Sequence, residues 1–205
     1  YGQSEAGPVI TLLKPADHDL SDRTTRLRSA GKPLCGVEIA IHAPDGSECA
    51  PGEVGEIVAR SGGVMPYYWN DAEQSSTTLR DGWLHTGDGG YIDGDGFLYV
   101  VDRIKDMIIT GGENVYPVEV EQVLAVHPAV RDVAVIGVRD ETWGESVRAC
   151  VVLRAEATAS DRELIAYCRE RIAHYKCPKT VLFVGEIPRN SSGKILKTVL
   201  REQYA

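Results

Sequence analysis

The longest apolar runs of this chain have the length of a β-strand, and this limits the folds that are open to it. The two runs, residues 133–138 and 150–153, fall far short of the roughly 20 apolar residues that a transmembrane helix needs. With 205 residues and 43% hydrophobic composition, the chain can still bury real cores in one large or two modest domains. We therefore predict a globular protein without a membrane span.

The first half of the sequence has the pattern of short β-strands joined by turns. Val37, Ile39 and Ile41 recur at every second position, which is the period of a strand with one buried face. A Pro-Asp-Gly turn follows at 44–46, and an extended pattern resumes at 56–59. Two antiparallel strands are the expected result.

A second hairpin is predicted from residues 91–92 and 97–101, joined by Asp-Gly-Asp-Gly at 93–96. The turn resembles the start of a calcium loop, but Ile104 stands at the twelfth position, where such a loop has glutamate. We therefore interpret it as a hairpin turn. Short strands with glycine-rich turns are typical of a small barrel or sandwich, and we predict a small β-barrel-like subdomain.

The second half alternates between helix and strand patterns. Pro117 begins a helix that ends near residues 127–128, and Ser160 with Glu163 forms the capping box of another. Strands are expected at about 130–138, 146–154 and 180–184. This order predicts a compact α+β domain with helices on a sheet.

Charge is distributed unevenly between the two halves. Residues 1–103 carry 8 Lys and Arg against 16 Asp and Glu, whereas residues 104–205 carry 14 of each class, so the net charge of −8 belongs to the first half. An acidic chain of this kind is a poor non-specific binder of nucleic acid, and we expect no nucleic-acid partner. The change also suggests two domains, 1–103 and 104–205.

Cysteine and histidine do not form the patterns of a disulfide framework or a metal site. The five cysteines are widely spaced without a CxxC pair, and the five histidines include no HExxH. We expect no protein-ligated transition metal. Free cysteines fit a reducing compartment, so a cytoplasmic location is predicted.

Four motifs follow one another in a fixed order along the chain. They are YGQSE at 1–5, GWLHTGD at 82–88, YVVDRIKDMIITGGENVYP at 99–117 with Glu119 and Glu121, and PRNSSGK at 188–194. Together they resemble the later core motifs of the adenylate-forming superfamily, and in wording they most resemble its fatty-acyl-CoA ligases. The motifs extend over essentially the whole chain, which makes chance agreement negligible.

The resemblance implies a reaction in two steps. A carboxylic acid and ATP, with Mg²⁺, would give an acyl adenylate and pyrophosphate, and the thiol of coenzyme A would then displace AMP. In that family a phosphate-binding loop and the acyl pocket precede the first of these motifs. The resemblance therefore implies that an N-terminal domain is missing, that 1–103 is the end of the large domain, and that 104–205 is the mobile C-terminal domain. This chain alone would then be inactive.

Five residues are implied to handle the nucleotide. Glu5 would bind Mg²⁺ through a hard carboxylate oxygen, and Ser4, where threonine is usual in the family, would contact a phosphate. Tyr1 would lie along the adenine, unless it is an ordinary buried aromatic residue. Asp88 would accept hydrogen bonds from both ribose hydroxyls, unless it only closes a turn. Arg103 would reach the ribose from the other side.

The third motif is implied to hold the hinge and part of the coenzyme A channel. Lys105 would be the hinge residue, whose backbone torsions change as the small domain turns. Gly111 and Gly112 would line the pantetheine tunnel, since glycine lets a thin ligand pass close to the backbone, although a tight turn before the Pro117 helix also explains them. Trp143 would face the same channel.

The residues implied to bind the nucleotide of coenzyme A match the family pattern least well. Tyr175 and Lys179 match a stretch that touches this nucleotide in some relatives, but Cys177 stands where a second cation can occur. A solvated surface loop explains the same residues.

Lys194 lies behind Asn-Ser-Ser-Gly at 190–193, and we expect this run to be mobile. An arbitrary lysine in such a loop is only solvated. The resemblance instead implies that Lys194 meets the carboxylate and the α-phosphate, where negative charge builds up in the transition state. Lys197 stands where the family often has arginine, and its role is open.

Three functions follow from these observations. The first is the C-terminal part of an acyl-CoA ligase that acts on fatty acids. The second is an adenylation module that passes its acyl group to a carrier protein. The third, from another class, is an inactive nucleotide-binding fragment.

Overall fold

The computed structural model describes residues 1–18 and 26–204, and the chain divides into two compact units, Tyr1–Ile104 and Lys105–Ala205. They are called unit 1 and unit 2 below. Unit 1 is mainly β-structure and unit 2 combines helices with a sheet, so the predicted α+β fold is confirmed. In the described part of the chain, no helix combines the length and the apolar character needed to cross a bilayer.

The described residues of unit 1 form short strands and one short helix. These elements are β1 (Thr11–Leu12), β2 (Lys32–Pro33), β3 (Val37–His42), β4 (Gly55–Ser61), α1 (Ala72–Thr78), β5 (Leu79–Arg80), β6 (Trp83–Ile92) and β7 (Leu98–Arg103). Strands β3, β4, β6 and β5 form an antiparallel sheet in that order, and β7 also pairs with β6. The sheet curls because both edges of β6 contain register shifts, which increase local twist.

Two apolar clusters fill unit 1. Buried residues of β4 contribute to both, with Ala59 in one cluster and Ile57 in the other. Residues two apart on a strand point to the same face, so Ile57 and Ala59 place the two clusters side by side on one face of the sheet. This face of the curled sheet is therefore packed with apolar side chains, as expected of a small β-barrel-like subdomain.

Unit 2 is built around two long strands. Its elements are β8 (Ile108–Thr110), β9 (Glu113–Val115), α2 (Pro117–Ala125), β10 (Val130–Asp140), β11 (Gly144–Leu153), α3 (Asp161–Arg169), β12 (Thr180–Phe183) and α4 (Lys197–Tyr204). The sheet order is β10, β11, β8, β9, and β12 pairs with β11 in parallel.

Helices cover both faces of the unit 2 sheet. Val133 and Val135 of β10 pack in one core with α2 and α3, whereas Ala134 and Ile136 pack in a second core with Leu200 of α4. This alternation follows the two-residue period of a strand. The sheet is therefore buried on both sides, which explains the near-continuous apolar run at 133–138.

Most elements with a clear sequence pattern are found where they were predicted. The hairpin of β6 and β7 pairs Tyr91 with Tyr99, and the Ser160 side chain accepts a hydrogen bond from the Glu163 amide in a complete capping box. Helices α1 and α4 and the β8–β9 hairpin were not predicted. The two helices make only about two turns each and the two strands have three residues each, so a periodic hydrophobic pattern does not stand out in any of them.

Candidate functional site

Asp88 lies in an irregular bulge of β6. Glu56 of β4 pairs with Gly89 and Val58 pairs with His85, so residues 86–88 stand opposite Ile57 alone. Gly87 occupies the bulge with a φ of 69°, a conformation that favours glycine. The Gly87 amide donates to Glu56 Oε1 at 3.0 Å. These features turn the Asp88 side chain out of the regular alternation of the strand.

Two side-chain hydrogen bonds lock the bulge. Thr86 Oγ1 donates to the carbonyl of Ile57 at 2.6 Å and accepts from the Asp88 amide at 3.1 Å. Thr86 is buried, so both bonds are shielded from water. In the Thr-Gly-Asp motif, Thr86 thus holds the bulge by hydrogen bonds, Gly87 allows its positive φ, and Asp88 carries the carboxylate.

Asp88 is the centre of a polar cluster on unit 1. Arg103, its cross-strand partner on β7, places Nε at 2.8 Å from Asp88 Oδ1. Tyr1 donates its hydroxyl to Oδ2 at 2.6 Å, and Gln3 donates Nε2 to the same oxygen at 2.9 Å. Asp88 is only 7% exposed, so the carboxylate depends on these charge-assisted partners.

Burial, followed by the hydrogen bond to Asp88, raises the pKa of Tyr1 well above its ordinary value. The phenol therefore keeps its proton and stays a donor. Gln3 also donates to the carbonyl of Thr86 at 2.9 Å, so it ties the first motif to the second. Sequence reasoning missed Gln3, because its partners lie 83 and 85 residues away along the chain.

The hydrogen bonds within the cluster determine which acceptor positions of the Asp88 carboxylate remain for a ligand. A carboxylate oxygen has two lone pairs, and both pairs of Oδ2 are used by Tyr1 and Gln3. Oδ1 accepts from Arg103 and keeps one lone pair. One acceptor beside the remaining guanidinium donors of Arg103 suits a vicinal diol, with one hydroxyl donating to Asp88 and its neighbour accepting from Arg103.

Ser4 and Glu5 lie in a short 3-10 helix, Ser4–Ala6, on the same unit. Glu5 is half-buried and accepts a hydrogen bond at Oε1 from the Tyr68 hydroxyl at 2.9 Å. Burial, and then this bond, raise the pKa of Tyr68. Among the described residues there is no group of three or more acidic, histidine or cysteine side chains that could hold a metal. Glu5 can therefore offer a cation one carboxylate, and the other ligands would come from a substrate or water.

In unit 2, Gly111, Trp143 and Lys179 are brought together. The Gly111 amide donates to the Trp143 carbonyl at 2.9 Å. A Cβ on Gly111 would lie 2.6 Å from Cε3 of the Trp143 ring, and Gly111 has a φ of 60°, so this position requires glycine. Lys179 Nζ lies 4.9 Å from the centroid of the indole, whose residue is half exposed. Gly112 also has a positive φ but open space around it.

Asp140 fixes the loop that carries Trp143. Its Oδ1 accepts from the amides of Thr142 and Trp143, and its Oδ2 accepts from Lys179 Nζ at 3.1 Å. The hydrogen bond from Lys179 lowers the pKa of Asp140 below its ordinary value, and the two amides add to this. Sequence reasoning missed Asp140, although an Asp that accepts from the amide two residues further on is a common feature of turns.

Tyr175 has different neighbours. It lies in the 3-10 helix His174–Lys176, where Lys176 Nζ is 5.7 Å from its ring. Lys176 in turn pairs with Glu119 of α2 at 2.7 Å. Among the described residues, Tyr175 has no recorded ring or hydrogen-bond contact with Trp143 or Lys179.

The loop that carries Lys194 is closed by hydrogen bonds, and the mobility expected for residues 190–193 stays a prediction. Asn190 Oδ1 accepts from the amides of Ser192 and Lys194 at 3.1 and 2.8 Å. The backbones of Asn190 and Lys194 are also joined, and Arg189 forms a β-bridge with Ile195. Glycine 193 has a φ of 83°, which the turn requires. Lys194 is exposed, and its ammonium has no recorded partner in residues 1–18 and 26–204.

Helix α4, which follows this loop, is attached at two points. Lys197 Nζ pairs with Glu121 Oε1 of α2 at 2.9 Å, and both side chains are largely buried. Arg201, one turn later, pairs with Asp106 at 2.9 Å. Asp106 belongs to the 3-10 helix Ile104–Asp106, which also contains the exposed Lys105. The position of Lys197 answers the question left open by the sequence, since its ammonium is occupied inside unit 2.

Two family models match the chain. Residues 1–69 match that of the AMP-binding enzymes, and residues 119–194 match that of the AMP-binding enzyme C-terminal domain. The two matches contain the first and last of the four sequence motifs. The stretch from 70 to 118, with Asp88 and Arg103, lies between them.

Curated relatives and a solved structure agree with these matches. The chain is 47% identical over 201 residues to the 2-succinylbenzoate–CoA ligase of Geobacillus kaustophilus, covering 98% of this chain and 40% of that protein. It is 47% identical over 184 residues to a long-chain-fatty-acid–CoA ligase of Mycobacterium tuberculosis, covering 90% of this chain and 36% of that protein.

The o-succinylbenzoate CoA synthetase of Bacillus subtilis, solved with its acyl-adenylate intermediate, superposes with a TM-score of 0.88 at 44% identity and covers 98% of this chain and 40% of that one. The chain thus spans about two fifths of the length of the relatives that it matches. With sequence motifs, family models and fold in agreement, the chain belongs to the adenylate-forming, AMP-binding enzyme superfamily.

Proposed function

We propose that this chain supplies the ribose-binding carboxylate and the catalytic lysine of an AMP-forming acid–CoA ligase. The observation that carries the proposal is the cluster of Asp88, Arg103, Tyr1 and Gln3, in which one acceptor and adjacent guanidinium donors are held ready for a diol. A ribose offers such a diol. Family membership supports the assignment of this diol to ATP and AMP.

The substrate is a carboxylic acid, and we propose a fatty acid. The residues of the four sequence motifs support this choice, as does the similarity to a long-chain-fatty-acid–CoA ligase. The equal identity to a succinylbenzoate ligase shows that such similarity is shared by ligases of different acids. The proposed reaction is therefore the activation of a carboxylic acid by ATP, with coenzyme A as the acceptor of the acyl group. Fatty acids are the first substrate class to assay, and we propose a cytoplasmic location for the enzyme.

In the proposed mechanism, Asp88 and Arg103 orient the ribose while Tyr1 lies along the adenine. Glu5 would hold Mg²⁺, which supplies positive charge beside the phosphates, and Ser4 would contact a phosphate. Lys194 donates to the oxygens on which negative charge builds up as the carboxylate attacks the α-phosphate. Its free ammonium and exposed position are suited to a group that meets a substrate from outside its own unit.

The closed lysine loop supports a particular kind of movement. Because residues 190–194 are tied together, Lys194 is not expected to leave the site by loop flexing. We propose that the mobile domain begins at the hinge residue Lys105 and turns as a body. Gly111, Gly112, Trp143 and Lys179 would then face the pantetheine and nucleotide of coenzyme A, with Tyr175 at the nucleotide end.

The test separates the two half-reactions in the whole protein. Lys194→Ala should slow acyl-adenylate formation by about 10²–10³-fold, the loss expected when an electrostatic donor to the transition state is removed. The same variant should convert preformed acyl adenylate and coenzyme A to thioester at nearly the normal rate. Lys14→Ala, at an exposed lysine of unit 1, is the matched control and should leave both rates unchanged.

Lys105→Pro should have the opposite effect, because proline fixes φ near −65° and can hold the hinge in one pose. Adenylate should then form while thioester formation stalls. Equal loss of both steps in Lys194→Ala would contradict the proposed role of the lysine. Thioester formation on a carrier protein but not on coenzyme A would support the carrier-dependent alternative instead.

A further inference from the structure

The Lys194 loop is closed by its own hydrogen bonds, but these bonds do not orient it on the unit 2 sheet. Residues 190–194 are all exposed, and the hydrogen bonds of the Asn190 and Ser192 side chains stay within the loop. Ile195, directly after Lys194, packs against the core cluster that contains Ile187 and Leu200, so it anchors the end of the loop on unit 2. The exposed tip before it needs a further contact to set the direction in which the lysine points.

Arg189 makes that connection with one guanidinium group. Its NH1 donates to the carbonyl of Gly193 at 2.9 Å, directly before Lys194. Its NH2 donates to both carboxylate oxygens of Asp132, at 2.9 and 3.0 Å. Asp132 lies near the start of β10, at a register shift between Val130 and Asp132. One side chain thus links the loop tip to a strand of the core.

We propose that Arg189 and Asp132 are positioning residues for Lys194, a proposal that rests on the adenylation function proposed above. The planar guanidinium can serve Gly193 and Asp132 at once, because its donors have fixed directions. A lysine at 189 keeps the charge but lacks the two diverging donors. The pair is 40% and 31% exposed, so its contribution is to geometry more than to the stability of the fold.

The size of the effect follows from the demands of the reaction. A donor that stabilises a transition state must be placed within a fraction of an ångström, and a displacement of 1 Å can cost about a hundredfold in rate. Releasing the loop from Asp132 gives Lys194 such freedom without removing it. A loss smaller than that of Lys194→Ala is therefore expected, and it should be confined to the step that uses the lysine.

The experiment compares Arg189→Ala, Arg189→Lys and Asp132→Asn with Lys194→Ala in the whole protein. Both Arg189 variants and Asp132→Asn should lower the rate of adenylate formation about ten- to a hundredfold, with the KM for ATP and the thioester step nearly unchanged. Arg131→Ala is the matched control, since Arg131 is the neighbour of Asp132 and donates to Gly185 at 3.4 Å rather than to the lysine loop. It should behave as the unmodified protein.

Hydrogen exchange provides a readout that does not depend on activity. In Arg189→Ala and Asp132→Asn, the amides of Ser192 and Lys194 should exchange faster, whereas amides of β10 and β11 should keep their protection. Full rescue of adenylation by Arg189→Lys would overturn the proposal, because charge alone would then suffice. Equal loss of both half-reactions, or unchanged adenylation in all three variants, would also overturn it. If Lys194→Ala itself leaves adenylation intact, it is the proposed function that fails.

Discussion

The surroundings of Asp88 determine how this residue can bind a ligand, and its sequence motif does not reveal them. The Thr-Gly-Asp sequence was enough to select this carboxylate, but it did not indicate that three residues bulge opposite one, or that Glu56 holds the Gly87 amide. Nor did it indicate that Tyr1 and Gln3 occupy one carboxylate oxygen. We therefore expect Asp88 to accept one ribose hydroxyl, rather than both as the sequence motif implied, and Arg103 to bind the neighbouring hydroxyl.

The residue-scale prediction concerns nucleotide affinity. Asp88→Ala in the whole protein should weaken ATP binding about ten- to a hundredfold, because a hydrogen bond to a charged group contributes about 1.5–3 kcal/mol. Calorimetry measures the change directly. Asp95→Ala, at an exposed aspartate in the hairpin turn on the same unit, should bind ATP normally. Unchanged affinity in Asp88→Ala would remove Asp88 from the nucleotide site.

Particular residues also show why part of the site could be predicted and part could not. Asp88, Arg103 and Lys194 belong to contiguous motifs, and their chemistry is visible in the sequence. The contacts of Gln3 and Asp132 are invisible there, because they depend on strand register and on partners 57 to 85 residues away. Contacts of this kind cannot be predicted from sequence spacing, because they depend on how the strands of the sheet pair.

At the scale of elements, local signals predicted helices α2 and α3 and the strands that are buried. Pro117 and Ser160 mark the starts of α2 and α3, since proline at the first turn and a capping box are local features. Helix α4 has eight residues and no recorded side-chain cap, and only one of its residues is buried. Its stability comes from tertiary contacts, namely the packing of Leu200 in the core and the ion pairs of Lys197 and Arg201, and these cannot be read from its own sequence.

The element-scale prediction tests one of those ion pairs. Lys197→Met or Glu121→Leu in the 205-residue chain should each lower the free energy of unfolding by about 3–5 kcal/mol. The first leaves Glu121 with only the Val135 amide, and the second leaves the Lys197 ammonium without a counter-ion. The double variant should lose much less than the sum of the two. Urea denaturation gives all three values.

Glu170→Gln serves as the control for this cycle, because it removes an exposed partner of Arg171 and should cost at most about 1 kcal/mol. Additive losses in the double variant would show that Lys197 and Glu121 act independently.

At the scale of the whole molecule, the chain carries the residues proposed for nucleotide and lysine chemistry but spans about two fifths of its relatives. The proposed reaction also needs an acyl pocket and a loop that cradles the phosphates. Neither was identified among the motifs of this sequence. We therefore propose that activity belongs to the whole protein and that these 205 residues contribute two of its parts.

The corresponding prediction is that the 205-residue chain alone does not catalyse carboxylate-dependent exchange of pyrophosphate into ATP. The measurement uses a panel of fatty acids at saturating ATP and Mg²⁺, with the whole protein as the positive control. Robust exchange by the 205-residue chain would show that it holds a complete adenylation site, and the proposed division of labour would be wrong.

The attachment of α4 to Asp106 has a practical consequence for protein engineering. Arg201 is paired with Asp106, which directly follows the proposed hinge residue, whereas Arg103, two residues before Lys105, is paired with Asp88. A chimaera that joins the large domain of one relative to the small domain of another should therefore be spliced between Arg103 and Asp106. A splice placed after Asp106 would combine α4 of one relative with the residue at position 106 of the other, and recombinants of that design could lose the acidic partner of Arg201.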